Sequence, residues 1–213
     1  MNITEEMLTT LREQVAPWLT GKRLAHTLAV EEMAAELGKI YLPDQVEKLR
    51  AAALLHDITK RADTEQQLAY CRKYGLPVTE EDMFSPKTFH ARTAAAAAER
   101  EFPEYADPDV IGGIRWHTTG HTGMTVFEAI VYLADYIEAT RTFPDCIRLR
   151  EFFYDALAEA HTPEAREEVL NRTMLLSFDM TIRGLLDEGA PIGRDTFDAR
   201  NEYLYKLKAS RDC

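Results

Sequence analysis

The sequence predicts an all-α protein, and three observations support this fold class. Residues that start and stop helices recur from one end of the chain to the other, no segment alternates apolar and polar residues for long enough to form a strand, and β-branched residues do not cluster. Hydrophobic residues make up 46% of the 213 residues, which is typical of a globular protein rather than a disordered one. We therefore expect one domain over residues 1–213, with its core at about 20–150 and additional C-terminal helices at about 151–213.

Helix boundaries are predicted from capping residues, prolines and glycines. Starts are expected at Asn2 with Glu5, after Gly21, at Pro43, at Thr64 with Gln67, at Asp107 before Pro108, at Thr125 with Glu128 and at Thr162 before Pro163. The first two helices should reach about Leu19 and Leu37, and later helices should end at Gly75 and Gly189, each shortly before a proline. Two loops are expected, from about Phe84 to Thr88 and from His117 to Gly123.

Helical spacing predicts that two polar residues face the interior. In the third helix, His56 follows Ala53, Leu49 and Val46 at steps of three and four residues, so its imidazole should lie in the core. Asp135 follows Val131 and Phe127 at four-residue steps, so its carboxylate should also point inward. A buried carboxylate needs a partner that offsets its lost hydration.

Charge and cysteine content restrict the classes of function. With 36 acidic and 25 basic residues the net charge is −11, so the chain lacks the broad cationic surface that would hold nucleic acid, and a phosphate substrate would need local capture. The three cysteines, Cys71, Cys146 and Cys213, form no CxxC pair or disulfide framework, which favours the cytoplasm. The N-terminus has neither the basic start nor the apolar stretch of a signal peptide, and no membrane span is predicted.

Four histidines and two aspartates are the candidate metal ligands. They are His26, His56, Asp57, His90, His117 and Asp135. Any one of them alone is more often an ordinary core or surface residue, but the set offers imidazole and carboxylate ligands without thiolate, which suits iron, manganese or zinc. Six side chains suffice for two metal ions, and Asp57 is the best candidate to bridge them because it directly follows His56 at the end of a helix. Ligands on separate helices have no local spacing signature, so the residues alone do not establish the site.

Longer strings of sequence carry a resemblance to a known family. The order His26, His56-Asp57, Asp135 resembles the pattern of HD-domain metal hydrolases, an all-helical superfamily whose two-metal members carry additional histidines. The segments RLAHTLAV, AALLHDITK, IRWHTTGHTGMT and YLADYIEATRTFPD are similar to those of the YqeK family of symmetrical bis(5'-nucleosyl)-tetraphosphatases. The resemblance runs from about Arg23 to Arg150, and the C-terminal helices are less diagnostic.

The resemblance implies a reaction and roles for individual residues. Family members cleave diadenosine tetraphosphate into two ADP, so the implied activity is metal-dependent hydrolysis of a dinucleoside polyphosphate by water that the metals activate. The six ligands would hold two metal ions, iron first and manganese or zinc as alternatives, with Asp57 bridging. Lys60 and Arg141 would assist catalysis and bind substrate phosphates, and Thr118 and Thr119 would lie beside the substrate.

The chain departs from the family pattern at a few positions. It has Ala139 and Thr140 where proline and asparagine are common, and His121 where arginine is frequent. His121 is more often an exposed loop residue than a ligand or proton donor. Trp116 is at least as well suited to core packing as to stacking on adenine, and His161 needs no role beyond its favourable position near a helix end.

Three other functions remain open from the sequence. The first is a different HD-domain phosphohydrolase, acting on a nucleoside monophosphate, a deoxynucleoside triphosphate or a cyclic phosphodiester. The second is an iron-dependent oxygenase, and the third is a nucleotide-binding regulator without catalysis. The sequence allows a homodimer but does not specify one.

Overall fold

The computed structural model describes residues 2–19 and 21–209. Within these ranges the chain forms eleven α-helices and no strand, which confirms the all-α class. The helices are α1 Glu5–Val15, α2 Lys22–Tyr41, α3 Val46–Leu55, α4 Thr64–Tyr74, α5 Glu80–Phe84, α6 Phe89–Glu101, α7 Pro108–Trp116, α8 Val126–Ile137, α9 Pro144–Ala158, α10 Pro163–Asp187 and α11 Arg194–Ala209. None of them combines the length and the apolar character that a bilayer crossing needs.

Three predicted helix starts are confirmed in detail. Asp107 and Thr162 cap α7 and α10 through their side chains, and each is followed by a proline at the first helical position. Thr125 and Glu128 form a reciprocal capping box at the start of α8. Gly75 ends α4 in the left-handed conformation with φ of 69°, which avoids the steric penalty that a side chain would incur there.

The predicted cap at Asn2 is wrong by two residues. Thr4 caps α1, because its hydroxyl accepts a hydrogen bond from the Met7 backbone N–H at 3.3 Å. This register buries Ile3 before the cap and Leu8 inside the helix, the arrangement of a hydrophobic staple. Helix α1 also ends at Val15 rather than near Leu19.

The predicted cap at Thr64 is displaced by one residue. Asp63 caps α4 and forms the capping box with Gln66. The neighbouring Gln67 is instead buried, and its amide donates a hydrogen bond to the Thr59 carbonyl at 2.7 Å. A tertiary contact of the Gln67 side chain therefore decides whether Asp63 or Thr64 caps the helix.

Three other boundaries also differ from the prediction. Helix α2 extends to Tyr41, and Pro43 begins a 3₁₀ turn that precedes α3. The expected loop from Phe84 to Thr88 is partly helical, since Phe84 ends α5 and Pro86–Thr88 is a second 3₁₀ turn.

Five helices surround the interior in which the candidate ligands lie. Helix α2 packs against α3 and α8, and α7 packs against α3, α6 and α8. The contact between α7 and α8 is close at Gly113, where an added Cβ would lie 3.0 Å from the side chains of Phe127 and Val131. Glycine at this position therefore lets the helix that precedes His117 approach the helix that carries Asp135.

The C-terminal helices support the loop after α7. Helix α10 packs against α9 and α11, and its Phe178 is fully buried. An added Cβ at Gly120 would lie 2.6 Å from the Phe178 ring, and Gly120 has φ of 61°. A glycine is thus required there on two grounds, close approach and backbone conformation.

Candidate metal centre

The structure brings all six predicted ligands together. His26 lies on α2, His56 and Asp57 in the turn that ends α3, His90 in the first turn of α6, His117 after α7 and Asp135 on α8. Their side chains form three overlapping groups, each with ligand atoms within 4.8 Å of one another: His26, His56 and Asp57; His56, His117 and Asp135; Asp57, His90 and His117. All six side chains are largely withdrawn from solvent, Asp135 being the most exposed at 19%.

The Asp57 carboxylate lies between two pairs of imidazoles. Its Oδ1 is 3.4 Å from His90 Nε2 and 3.7 Å from His117 Nε2. Its Oδ2 is 3.4 Å from His56 Nε2 and 3.9 Å from His26 Nε2. Each oxygen therefore faces its own pair of nitrogens, which is the arrangement that a carboxylate shared by two cations requires.

The four imidazoles are oriented in the same way, with Nδ1 held by the protein and Nε2 directed into the cluster. Nδ1 is 2.6 Å from the Ala53 carbonyl in His56, 2.7 Å from the Lys87 carbonyl in His90, 2.7 Å from the Ile114 carbonyl in His117, and 3.0 Å from Glu138 Oε1 in His26. Each of these partners accepts a hydrogen bond from Nδ1–H, so the proton stays on Nδ1 and Nε2 keeps its lone pair. Imidazoles in this tautomer are prepared to bind a metal.

Several acceptor atoms in the cluster have no donor. His26 Nε2, His56 Nε2 and Asp57 Oδ1 are buried without a hydrogen-bond partner among the described residues. His90 Nε2 and His117 Nε2 approach each other to 3.1 Å, although both lone pairs face inward. Buried acceptors that face one another are costly unless a cation lies between them. The residues present therefore fit bound metal ions.

Electrostatics hold His90, His117 and the two carboxylates in the ligand form, whereas in His56 burial lowers the pKa but the Asp57 and Asp135 carboxylates raise it above its usual value. Burial lowers the pKa of His90 well below its usual value and also lowers that of His117. Burial opposes ionisation of the two carboxylates, yet His56 and His117 keep the pKa of Asp57 well below its usual value, and Arg141 does the same for Asp135. Neutral imidazoles and ionised carboxylates are the forms that coordinate metals.

Glu138 is a site residue that the sequence does not predict. This residue follows α8 and is fully buried, and its Oε1 is the acceptor that orients His26. Thr140 in turn donates to Glu138 from its hydroxyl at 2.8 Å and from its backbone N–H at 2.5 Å. A carboxylate behind a histidine ligand fixes the tautomer and raises its basicity. The string YLADYIE contains Glu138, but nothing local in it indicates contact with a residue 112 positions away.

Two of the four predicted substrate contacts bear positive charge, and both adjoin the cluster. Lys60 Nζ is 2.9 Å from His90 Nε2, and burial lowers the pKa of this amine. Arg141 Nη2 donates to Asp135 Oδ1 at 2.5 Å. The structure also places an unpredicted guanidinium here, since Arg23 Nη1 donates to Asp57 Oδ2 at 2.7 Å.

The hydroxyl groups of the two predicted threonines have different partners. The Thr118 hydroxyl lies 3.0 Å from His90 Nε2, whereas the Thr119 hydroxyl donates to the Gly120 carbonyl at 3.0 Å. Thr118 is therefore the threonine whose hydroxyl meets a candidate ligand.

The remaining histidines and Trp116 lie outside the three ligand groups. His121 stacks on Trp116 with ring centroids 4.3 Å apart, and its Nε2 is 3.2 Å from Glu128 Oε2. The Arg115 guanidinium covers the same indole at 4.0 Å. Trp116 is thus already in contact with two neighbours, and His161 is exposed before α10.

Comparisons with known proteins agree with this geometry. The model of the HD domain family matches residues 23–140. Three curated relatives named symmetrical bis(5'-nucleosyl)-tetraphosphatase each align with 91% of this chain: the proteins of Halalkalibacterium halodurans, Bacillus subtilis and Staphylococcus aureus are 34%, 32% and 31% identical, and the alignments cover 95%, 93% and 93% of their own lengths.

A solved structure gives the same result. A Clostridium acetobutylicum protein, described as a predicted HD superfamily hydrolase involved in NAD metabolism, superimposes with a TM-score of 0.79 and 30% identity, over 96% of this chain and 100% of that one. The chain therefore belongs to the HD domain family of metal-dependent hydrolases and, within it, to the family of the symmetrical bis(5'-nucleosyl)-tetraphosphatases.

Proposed function

We propose that the protein hydrolyses diadenosine tetraphosphate symmetrically to two ADP. The observation that carries this proposal is the buried cluster of four histidines and two aspartates, in which His26 Nε2, His56 Nε2 and Asp57 Oδ1 have no donor among the described residues. The curated relatives supply the substrate, because all three are named for this reaction.

Two metal ions are the proposed cofactors, with iron first and manganese or zinc as alternatives. The ligands would be His26, His56, Asp57, His90, His117 and Asp135, with Asp57 shared between the two ions. Metal ions in such a site supply the Lewis acidity that activates water near neutral pH and offsets charge on phosphate oxygens.

The protein's own cations stabilise the charge that develops during the reaction. The oxygen of a water molecule bonds to one of the two central phosphorus atoms, the bond from that phosphorus to the bridging oxygen breaks, and the bridging oxygen leaves on the second ADP. Lys60 and Arg141 lie beside the cluster and would donate hydrogen bonds to the phosphates. Thr118 and Thr119 would border the same phosphates.

The first test is turnover of diadenosine tetraphosphate by protein purified without chelator. ADP should be the only product, and activity should follow the number of bound metal ions counted in the same sample. A panel of nucleoside monophosphates, deoxynucleoside triphosphates, cyclic phosphodiesters and NAD separates this reaction from related ones. Metal-loaded protein that binds diadenosine tetraphosphate and leaves it intact would instead identify a regulator, and oxygen consumption with a polyol would identify an oxygenase.

The proposed phosphate contacts can be tested separately from the metal ligands. Lys60→Ala and Arg141→Ala should each slow turnover while the number of bound metal ions stays unchanged. Loss of metal in either variant would show that the residue supports the metal centre instead.

We propose that the enzyme works in the cytoplasm without a nucleic-acid or membrane partner, as one domain over the whole chain. The buried free thiols of Cys71 and Cys146 and the net charge of −11 support this setting. A homodimer remains a prediction, which light scattering on the eluting protein tests directly.

A further inference from the structure

A narrow cleft opens beside the cluster on the side of His26. It has a volume of about 200 Å³, and the side chains of Lys22, Arg23, Arg141 and Phe143 contribute to its walls. Because the buried His26 also lines it, the cleft leads from the surface to the candidate metal ligands. We call it the Phe143 cleft.

Three cations, Lys22, Arg23 and Arg141, line the Phe143 cleft against one carboxylate, Glu138, in a chain that is strongly anionic overall. Arg23 and Arg141 are each anchored by one carboxylate of the cluster, Asp57 at 2.7 Å and Asp135 at 2.5 Å. A guanidinium carries five N–H donors, so most of them remain available. Arg141 Nε is buried and has no hydrogen-bond partner among the described residues, which leaves a donor in need of an acceptor. These features suit the oxygens of a phosphate group.

Phe143 adds an exposed aromatic ring to the same cleft. Its surface is 67% exposed, and it has no ring partner among the described residues. Trp116, the aromatic residue considered from the sequence, is by contrast covered by Arg115 and His121. Of the two residues, Phe143 is therefore the one whose ring is accessible for stacking on a nucleobase.

We propose that the Phe143 cleft binds one nucleoside diphosphate half of the substrate, with Arg23 and Arg141 on its phosphates and Phe143 stacked on its base. A cleft of about 200 Å³ is smaller than the roughly 300–1,000 Å³ of a pocket that encloses a whole small molecule. The phosphates fill it and the base lies at its rim. The identity of the substrate rests on the proposed function, whereas the roles of Arg23 and Phe143 are additions to it.

A second cleft provides a place for the other half. It measures about 310 Å³ and is lined by Lys60, Lys87 and His90, among others. Asp57 turns Oδ2 toward His26, which lines the Phe143 cleft, and Oδ1 toward His90, which lines the second cleft. Two clefts whose lining histidines face the same carboxylate suit a substrate with two like halves and cleavage at its centre.

The test compares binding of ADP and of inorganic pyrophosphate to the metal-loaded protein by calorimetry. Phe143→Ala should weaken ADP binding by about 5-fold or more, because base–aromatic stacking contributes roughly 1–3 kcal/mol, and should leave pyrophosphate binding within about 2-fold of wild type. Phe143→Trp should restore ADP binding. Arg23→Gln should weaken both ligands with the metal content unchanged.

Phe197→Ala is the matched control, since Phe197 is 51% exposed on α11 and lines a different groove. It should bind both ligands as wild type does. Unchanged ADP affinity in Phe143→Ala would overturn the proposal, and so would an equal loss of ADP and pyrophosphate. Because binding is measured rather than turnover, a protein that shows the predicted ADP loss but does not cleave diadenosine tetraphosphate would refute the proposed function alone.

Discussion

Helix α2 contributes to two buried charged clusters that differ in how completely their charges are paired. Near its middle, Glu31 accepts two hydrogen bonds from Arg12, at 2.6 and 2.8 Å, and one from Arg50 at 3.0 Å. Arg50 also pairs with Glu5, so two carboxylates meet two guanidinium groups. In this cluster, which we call the Glu31 network, each charged group is paired with one of opposite charge.

In the metal-ligand cluster at the start of the same helix, the polar groups are not all paired. Asp57, Asp135 and Glu138 lie beside two guanidinium groups, Arg23 and Arg141, and the Lys60 amine, but acceptor atoms of His26, His56 and Asp57 have no donor among the described residues. Removing one partner from a buried cluster that satisfies itself destabilises the fold, whereas a cluster with unpaired acceptors requires a ligand. The comparison predicts that substitutions in the two clusters will have different consequences.

The largest effect is expected at Asp57. Asp57→Asn removes the charge shared between the two proposed metal positions, so bound metal should fall well below two ions per chain. Turnover should fall by more than about 100-fold, beyond the 10–100-fold range of residues that only support a ligand. Elemental analysis and ADP formation measure the two quantities.

Asp179→Asn is the control, because Asp179 pairs with Arg200 away from the cluster. It should retain both metal and activity. Full metal content with normal turnover in Asp57→Asn would show that the metal ions do not depend on the Asp57 charge, and the shared-ligand role of Asp57 would be refuted.

A smaller effect is expected at Glu138, which contacts a ligand without being one. Glu138→Gln keeps the size of the side chain but removes the anionic acceptor behind His26 Nδ1. Metal affinity, measured by competition with a chelator, should fall by about 10- to 100-fold. Glu128→Gln is the matched control, since Glu128 is a buried carboxylate at the other end of α8. Equal affinities in the two variants would remove Glu138 from the metal centre.

The sequence predicts Asp57 but not Glu138, and their positions in the fold explain the difference. His56, with Asp57 next to it, falls on an apolar helix face, and separate family-like strings connect it to His26, His117 and Asp135. His90 is predicted from the additional histidines of the superfamily's two-metal members. The role of Glu138 depends on where the chain turns after α8 and on how α8 packs against α2, and no local pattern encodes either. The contact of Arg23 with Asp57 is hidden for the same reason, since the two residues are 34 positions apart.

The errors at helix starts have a different physical origin. Asn2 and Thr4 are both good capping residues, and Asp63 and Thr64 each have a glutamine three positions later. Local propensity cannot choose between such pairs. Burial decides, since the observed registers place Ile3 and Leu8 in the core and let Gln67 reach the Thr59 carbonyl.

In the Glu31 network the expected effect is on stability, not on metal binding. Arg50→Ala removes one of two guanidinium groups from Glu31, which is only 4% exposed, so the free energy of unfolding should fall by about 2 kcal/mol. Metal content and turnover of the folded protein should not change. Chemical denaturation measures the free energy of unfolding, and elemental analysis measures the metal content. Arg200→Ala, which breaks a partly exposed pair with Asp179, should cost less than about 1 kcal/mol.

The smallest effect concerns Glu5 at the exposed edge of the Glu31 network. The hydrogen bond from Arg50 lowers the pKa of Glu5 in the folded protein, so this carboxylate stabilises the fold above its unfolded pKa, and the stabilisation is lost as pH falls through the folded pKa. In Arg50→Ala the pKa of Glu5 should rise toward its usual value, and stability should depend less on pH in the acidic range. The effect is small because the Glu5 side chain is 63% exposed and water screens the pair. Carboxyl titration by NMR measures the pKa of Glu5 directly in both proteins. If Glu5 titrates at the same pH in both proteins, Arg50 does not bind Glu5 in solution. The Glu31 network would then consist of Glu31, Arg12 and Arg50 alone, and its charges would not balance.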